Sequence, residues 1–455
     1  MSVARLSWMT EEVSPTEQDT IRSIAEAALD AGGRALVVGG SVRDGLLGRT
    51  SRDVDVEVLG LDLNQLESIL ERFGRTYRVG REFQVLKLKS MDVDFSVPES
   101  PDLGFEDAAR RRDLTINSMA MDPISQEILD PHSGRADLEE GRLRATDVQR
   151  FGEDPLRALR VMRLTSELDM EIDPALMELC GEQDLESVAP ERVFSEFSRL
   201  LEKTHRPSKG LAFLEESGLL RFFPELDRLR GVPQDPEWHP EGDVWTHTLL
   251  SVDQAAQIRQ ANEEDRPLMW AALCHDLGKA ERTRLEAGRV RSLGHDTEGA
   301  EVSQKFLTRL QASSLLIEQV SLLVRHHLAP ALYVAQEAGP RGYRRLARRL
   351  AQGHVNLHLL ERLARADHFG RTTEDARARS FPAGREFLEK AESFSVDKGP
   401  MPDVVQGRHL IARGLHPGRK FGEILDQCRA IQDESGERNP DTILDQVLSP
   451  DLPAS

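Results

Sequence analysis

The sequence has few cysteines, few aromatic residues and no long apolar run. Its three cysteines in 455 residues are far apart and odd in number, which excludes a disulfide framework and a zinc knuckle. No stretch is apolar and long enough to span a bilayer, and the N-terminal MSVARLSWMTEEVSPTEQD lacks the apolar core of a secretory signal. We therefore expect a cytoplasmic protein that does not bind a membrane.

Positive charge is also scarce. Lys and Arg number 59 against 78 Asp and Glu, so the formal net charge is -19. This balance argues against a general nucleic-acid binder, although local basic clusters still create local fields. The clusters lie at 110–112, 341–350 and 407–420. We interpret the run at 341–350 as a solvated helix face.

The pattern of apolar residues predicts an α+β protein of several domains. Helical periodicity over 17–32 is followed by a strand (RALVVGG), a short helix (SVRDGLLG), a strand (DVDVEVLG), a helix (NQLESILERFG) and two strands (QVLKLKS and DVDFSVP). From about Asp137 onward the strand signals stop and amphipathic helices dominate. A small α/β unit followed by a helical region is therefore expected.

The stretch VVGGSVRDGLLGRTSRDVDVEVLG places a glycine turn before a line of acids. Side chains alternate along a strand, so Asp53, Asp55 and Glu57 share one face and the valines between them face the core. Carboxylates two residues apart suit a pair of Mg²⁺ ions, which support in-line displacement at a phosphate. Gly39 and Gly40 let the backbone approach that phosphate closely, at the start of a helix.

GGSVRDGLLGRTSRDVDV resembles the signature of the class II tRNA nucleotidyltransferases. That family and the bacterial poly(A) polymerases belong to the DNA polymerase beta-like superfamily. Further similar stretches follow in the family's order: RRRDLTINSMAMDP (110–123), ILDPHSGRADLEEGRLRA (128–145), FGEDPLRALRVMRL (151–164) and ERVFSEFSRLL (191–201). The resemblance implies a small polymerase-beta-like nucleotidyltransferase head followed by an all-α neck and body.

The resemblance also implies an activity and its residues. The activity is template-independent addition of CMP or AMP, from CTP or ATP, to the tRNA 3′ end, with release of pyrophosphate. Asp53 and Asp55 would be catalytic Mg²⁺ ligands. Asp94 is a candidate third carboxylate, although Asp92 shares its face. The implied nucleotide-binding residues are Gly39, Gly40, Arg43, Arg111, Arg112, Asp113, Asn117, Glu153, Asp154, Arg157 and Arg160.

Two of these residues have the chemistry to choose a base. On a helix, Asp154 and Arg157 are three residues apart and share a face. A carboxylate accepts a hydrogen bond from the amino group of cytosine or adenine, and a guanidinium donates to the ring acceptors. Uracil and guanine present the wrong pattern, so this pair would select C and A without a template. An ordinary helix ion pair is the alternative.

The segment between Asp94 and Asp113 is short, with 18 residues, FSVPESPDLGFEDAARRR. Many family members carry a long, basic, glycine-rich flexible loop here that helps the pocket switch from C to A. In the family, a shortened loop goes with enzymes that add only the two C residues and leave the A to a separate A-adding enzyme. We therefore expect a CC-adding enzyme. The alternatives are a full CCA-adding enzyme and a poly(A) polymerase, against which the acidic C-terminal tail counts.

A second constellation lies further along the chain, at His247, His275, Asp276 and Asp367. Its order resembles that of the HD-domain phosphohydrolases. Imidazole and carboxylate ligands suit a divalent transition metal or Mg²⁺, and such a metal generates hydroxide that attacks a phosphoester. The resemblance implies an inserted all-α HD domain with phosphodiesterase or phosphatase activity. A working HD hydrolase with an inactive head is a further alternative.

These patterns predict four segments. Residues 1–140 form the head and residues 141–230 the helical neck and body with the nucleotide-selecting helix. Residues 231–395 form the HD domain, and residues 396–455 the C-terminal helical part of the body. The boundaries follow two Pro- and Gly-bearing stretches, GVPQDPEWHPEGD and SVDKGPMPDVVQG.

Overall fold

The computed structural model describes residues 15–49, 54–79 and 85–448. The chain forms two units, residues 1–188 and 189–455. In the described part of the chain, no helix is both long enough and apolar enough to cross a membrane.

The first unit contains the strands of the molecule's main sheet and the helices that cover it. Its strands are β1 (Arg34–Val38), β2 (Val54–Leu59), β3 (Thr76–Val79), β4 (Val85–Leu88), β5 (Val93–Ser96), β6 (Ala120–Met121), β7 (Ile128–Leu129), β8 (Arg142–Leu143) and β9 (Glu171–Ile172). Its helices are α1 (Pro15–Asp30), α2 (Gly40–Leu46), α3 (Leu63–Leu70), α4 (Phe105–Ala109), α5 (Gly134–Glu140), α6 (Leu156–Leu168) and α7 (Pro174–Gly181).

The main sheet places the acid-bearing strand at its centre. Its strand order is β3-β4-β5-β2-β1-β6-β7. β2 pairs with β5 in parallel and with β1 in antiparallel. Val54, Val56 and Val58 are buried and Asp55 is exposed, which confirms the predicted alternation over the described part of that strand. Asp53 lies outside the described residues.

The core of the first unit lies beneath the apolar face of this sheet. Ile21 and Ile24 of α1 and Leu66 of α3 pack with Val56 and Phe95, and all five side chains are fully buried. Each such side chain stabilises the fold by about 1.5–3 kcal/mol relative to exposure. The acids of the opposite face are thereby held on a rigid layer.

The second unit is built mainly of helices. They are α8 (Pro190–Lys203), α9 (Pro207–Glu216), α10 (Pro224–Asp227), α11 (Val244–Gln257), α12 (Asp265–Cys274), α13 (Lys279–Arg282), α14 (His295–Arg309), α15 (Ser314–His326), α16 (Ala329–Ala335), α17 (Pro340–Gln352), α18 (Leu357–Gly370), α19 (Glu374–Arg377), α20 (Pro382–Ser393), α21 (Gly407–Ala412), α22 (Arg419–Ser435) and α23 (Pro440–Leu448). A hairpin joins β10 (Arg284–Glu286) to β11 (Arg289–Arg291).

Helices α11 and α18 approach each other closely because of one glycine. A Cβ on Gly370 would lie 2.2 Å from the Oγ of Ser251, so only glycine fits there. Asp243 caps α11 by accepting a hydrogen bond from the Thr246 N–H at 2.9 Å. The close packing brings His247 of α11 to Asp367 of α18, with 3.0 Å between Nε2 and Oδ1.

The α+β fold class is confirmed, but the sequence pattern did not predict several of the strands. The sequence did not predict β3, β6 or β7, and the expectation that strands stop at about Asp137 was wrong, because β8 to β11 follow. Of these seven strands, β6 to β11 are two or three residues long, which is too short for alternation to be seen, whereas β3 was missed although β4 and β5 of the same length were predicted. The β10–β11 hairpin is also almost entirely exposed, so it lacks an apolar face.

Candidate active site and metal centre

The carboxylates of Asp55 and Asp94 lie on neighbouring strands. Asp55 of β2 stands directly opposite Asp94 of β5 in the parallel register, so both side chains share one face of the sheet. Lys87 of β4 pairs with the Asp94 carboxylate at 2.7 Å and with that of Asp92 at 3.1 Å, and these hydrogen bonds raise its pKa. The Asp92 side chain is 80% exposed, against 38% for Asp94. Position therefore favours Asp94 as the partner of Asp55.

A glycine turn faces these carboxylates. Gly39 has a φ of 80°, a conformation that L side chains adopt only with strain. A Cβ on Gly39 would lie 3.3 Å from Arg112 Nη1 and 3.6 Å from Asp55 Oδ2. The next residue, Gly40, begins α2. Arg112 also pairs with Glu57 at 3.2 Å, so one cation joins the turn to the acidic face.

A chain of hydrogen bonds runs beside the turn. Arg43 donates to Asn117 Oδ1 at 2.7 Å, and Asn117 donates to Asp113 Oδ1 at 2.9 Å. Arg160 pairs with the other Asp113 oxygen at 3.3 Å. Burial opposes ionisation of Asp113, but Arg160, Asn117 and a main-chain N–H together hold the pKa of Asp113 below its ordinary value. Arg43 is 6% exposed, so it orients Asn117 rather than facing solvent.

The expectation that Asp154 and Arg157 share a helix face was wrong. Helix α6 begins at Leu156, and Asp154 before it is extended. The cause is Pro155, because a residue before proline is pushed out of the helical region. Asp154 instead accepts a hydrogen bond from the Leu156 N–H at 3.2 Å.

Arg157 lies in the first turn of α6 and is 8% exposed. Its guanidinium donates to the main-chain oxygens of Arg150 at 2.6 Å and Arg111 at 2.5 Å, and burial lowers its pKa. Arg111 in turn pairs with Glu153 at 3.5 Å and with Glu99. Arg157, a predicted base-reading residue, and Arg111, another of the predicted nucleotide-binding residues, are thus brought together.

Four residues of the second unit form a buried cluster: His247, His275, Asp276 and Asp367. The Nε2 atom of His275 lies 3.3 Å from Nε2 of His247 and 3.2 Å from Asp276 Oδ2. The Nε2 atom of His247 lies 3.0 Å from Asp367 Oδ1. The structure therefore brings together all four residues that the sequence singled out. Burial opposes the charge of both aspartates, yet neighbouring cations hold their pKa values well below the ordinary range.

Outer hydrogen bonds orient the imidazoles of the cluster. His275 Nδ1 donates to the Ala272 carbonyl at 2.8 Å, and His247 Nδ1 contacts Glu241 Oε1 at 2.7 Å. The Nε2 atoms of both rings thus face one another and the two aspartates, an arrangement that metal-ligating histidines use. The sequence contained Glu241 in HPEGD, but nothing in that pattern marked it as a partner.

A second group adjoins the first through Asp276. The ligand atoms of Asp276, His295 and His327 lie within 4.8 Å of one another, as do those of His247, His275 and Asp367. Burial and neighbouring histidines lower the pKa of His327 to about 4, so its imidazole is neutral at neutral pH. The mixed nitrogen and oxygen donors fit a divalent transition metal. No sequence pattern assigns a role to His295 or His327.

Asp276, His295, His327 and Asp367 of these candidate metal groups line a cavity of about 610 Å³. Lys279, whose Nζ lies 2.8 Å from Asp276 Oδ2, and Arg371 supply positive charge to it. The rim carries Trp238, Leu293 and Leu332, whose exposed fractions are 56%, 71% and 45%. The cavity thus combines ligand-bearing and cationic walls with an apolar rim.

Three sequence-family models match the chain. The model described as "Poly A polymerase head domain" matches residues 35–144, and the "HD domain" model matches residues 244–371. A third, "Probable RNA and SrmB- binding site of polymerase A", matches residues 169–229. The first covers the acidic face, and the second spans His247 to Asp367.

Curated relatives and solved structures are similar over most of the chain. The "Multifunctional CCA protein" of Alkalilimnicola ehrlichii is 34% identical over 429 residues, which are 87% of this chain and 96% of that protein. The protein of the same name from Halorhodospira halophila is 34% identical over 425 residues, covering 87% and 95%.

Two solved structures share the fold. A CCA-adding enzyme in complex with CTP has a TM-score of 0.62 at 20% identity, covering 96% of each chain. The Thermotoga maritima CCA-adding enzyme, complexed with tRNA, has a TM-score of 0.60 at 20% identity and the same coverage. Together with the identity and coverage of the curated relatives, these findings place the chain in the class II CCA-adding family of tRNA nucleotidyltransferases, and it is an enzyme of that kind.

Proposed function

We propose that this enzyme transfers CMP from CTP to the 3′ end of tRNA at the face that carries Asp55 and Asp94. The observation that carries the proposal is the placement of these two carboxylates side by side on β2 and β5, next to the Gly39 turn and Arg112. Asp53 completes the proposed carboxylate set. Oxygen donors of this kind fit Mg²⁺, which when bound polarises phosphate oxygens and activates a hydroxyl.

The remaining residues of the face hold the nucleotide in this proposal. Arg112 and Arg111 neutralise phosphate charge, as guanidinium groups do well. Arg43 acts by orienting Asn117, and Arg160 acts beside Asp113, near the sugar. Both roles follow from the hydrogen-bonded chain that joins these four side chains.

Asp154 and Arg157 read the base, with Glu153 beside them, although not from one helix face. Buried polar groups that pair with the correct base are left unpaired by a wrong one, which makes rejection strong. We expect Asp154→Ala to lower the preference for CTP over UTP by about 10-fold or more. The measurement is single-turnover incorporation of each nucleotide, with Asp147→Ala of the same unit as the control. Unchanged preference in Asp154→Ala contradicts the role.

The short segment between Asp94 and Asp113 supports a reaction that stops after two C residues. Contacts of its Glu99 with Arg111 tie this segment to the nucleotide-binding residues. A tRNA transcript that ends at the discriminator base would be incubated with CTP, with ATP, or with both. We expect two C residues from CTP and no further growth when ATP is added.

Other outcomes of that experiment are equally informative. Addition of the terminal A contradicts the short-segment argument and identifies a full CCA-adding enzyme. Long tails from ATP alone identify a poly(A) polymerase and contradict the proposal. If growth stops at two C residues, a separate A-adding enzyme must complete the product in the cell. The cytoplasmic location of this enzyme stays a prediction from the sequence.

For the second unit we propose metal-dependent hydrolysis of phosphoesters. The support is the pair of adjoining groups, His247–His275–Asp367 and Asp276–His295–His327, beside a cationic cavity. A divalent transition metal or Mg²⁺, when bound, supplies a hydroxide nucleophile near neutral pH. Lys279 and Arg371 would bind the phosphate oxygens.

A further inference from the structure

The groove between α17 and α22 contains more arginine than its acids can neutralise. This groove, of about 580 Å³, is lined by side chains of α17, of α22 and of the segment before α21. Its four acids are all paired: Glu434 with Arg341, Asp433 and Asp403 with Arg348, and Asp403 and Asp426 with Arg429, at distances of 2.6–2.8 Å. Three arginines therefore satisfy every acid of the groove.

Two arginines of the groove are left over. Arg345 and Arg349 are exposed, and within the described residues neither forms a hydrogen bond or an ion pair. They are four residues apart on α17, so they lie on one face, about 6 Å apart along the helix axis. In a chain of net charge -19, two adjacent unpaired guanidinium groups form a local site for a polyanion.

Neighbouring side chains extend this surface toward the metal cavity. Tyr333 of α16 lies against α17, since its ring is 3.5 Å from where a Cβ of Gly342 would stand. The preceding residue, Leu332, lines the metal cavity. Arg325 and Arg349 both act on His326, whose pKa burial and these charges lower to about 4. The groove and the metal cavity are therefore joined by the segment 325–333.

We propose that Arg345 and Arg349 bind successive phosphates of the tRNA substrate. Arginine fits phosphate oxygens in a bidentate way. The exposed stripe of α17 carries arginines rather than apolar residues, which disfavours insertion into a membrane. The inference rests on the proposed tRNA activity and gives the exposed face of residues 341–350 a role beyond solvation.

The test is the salt dependence of tRNA binding by the full-length enzyme. Labelled tRNA lacking its 3′ C residues is titrated with wild type, R345E/R349E and the control R377E/R385E. The control changes the same number of charges at exposed arginines of α19 and α20. Loss of two phosphate contacts raises Kd about 10-fold or more and lowers the slope of log Kd against log salt by about 1.4–1.8.

Each outcome decides the question. A Kd and slope for tRNA equal to those of the control overturn the inference. The inference is also overturned if R345E/R349E weakens binding to phosphatidylserine vesicles but not to tRNA. If R345E/R349E does not fold, R345Q/R349Q removes the charges without adding new ones and carries the same prediction, whereas R345K/R349K should retain most binding. CMP addition at saturating tRNA separates the two proposals. If wild type adds no CMP, the proposed function is contradicted. If R345E/R349E adds CMP and its Kd for tRNA is unchanged, only the proposal that the groove binds tRNA is contradicted.

Discussion

Asp55→Asn is expected to lower the rate of CMP addition to tRNA by about 10³-fold or more, because it removes a carboxylate that the phosphoryl-transfer site needs. Asp55 is exposed on a strand whose valines are buried, so the change should not disturb the core. The thermal midpoint should stay within a few degrees of wild type. Quench-flow measurement of single CMP addition, with enzyme in excess over tRNA, gives the rate.

A second comparison, of Asp94→Asn with its matched control Asp92→Asn, tests the partner carboxylate of Asp55. Both residues belong to the same stretch of chain and both pair with Lys87, but only Asp94 stands opposite Asp55. We expect a large loss of rate for Asp94→Asn and a loss below about 3-fold for Asp92→Asn. Equal effects of the two changes would show that register with Asp55 does not select the third carboxylate.

Asp276→Asn is expected to remove most of the phosphoester hydrolysis of the second unit, by about 10²-fold or more, and to lower its metal content. Asp276 contributes to both histidine groups, since its carboxylate oxygens lie 3.2 Å from His275 and 3.4 Å from His295. Loss of one shared ligand should therefore weaken metal binding at both. Hydrolysis of bis(p-nitrophenyl) phosphate and elemental analysis of the purified protein measure the two effects.

His358→Ala provides the control, because His358 is exposed on α18, the helix that carries Asp367. It should keep its metal and its hydrolysis. CMP addition by Asp276→Asn should stay within about 2-fold of wild type, since the head carboxylates belong to the other unit. A wild-type protein that binds metal but hydrolyses no phosphoester contradicts the proposed second activity.

The sequence predicted the strands of the main sheet that have four or more residues, except β3. β2 has six residues with buried valines on one side, and its helix and strand neighbours were all anticipated. β6 and β7 are two residues long, and only their hydrogen-bonded partners define them. Short strands of this kind are tertiary structure, so no local pattern can predict them.

Resemblance to the HD-domain phosphohydrolases located the candidate metal cluster but not its support. His247, His275, Asp276 and Asp367 are spread over 120 residues, and their order in the chain was enough to group them. The contacts that support the cluster exist only in the folded chain; they come from Glu241, Lys279 and the carbonyl of Ala272. Likewise, Asp154 and Arg157 looked like a helical pair until Pro155 placed the first of them outside the helix.

The most direct test of the account is the intact mass of a tRNA after reaction. A transcript ending at the discriminator base is incubated with the full-length enzyme, Mg²⁺ and all four nucleoside triphosphates, and the product is weighed. The account predicts a gain of two CMP residues, with none in the Asp55→Asn control. A product with no added CMP, or one extended by a mixture of nucleotides, would contradict it.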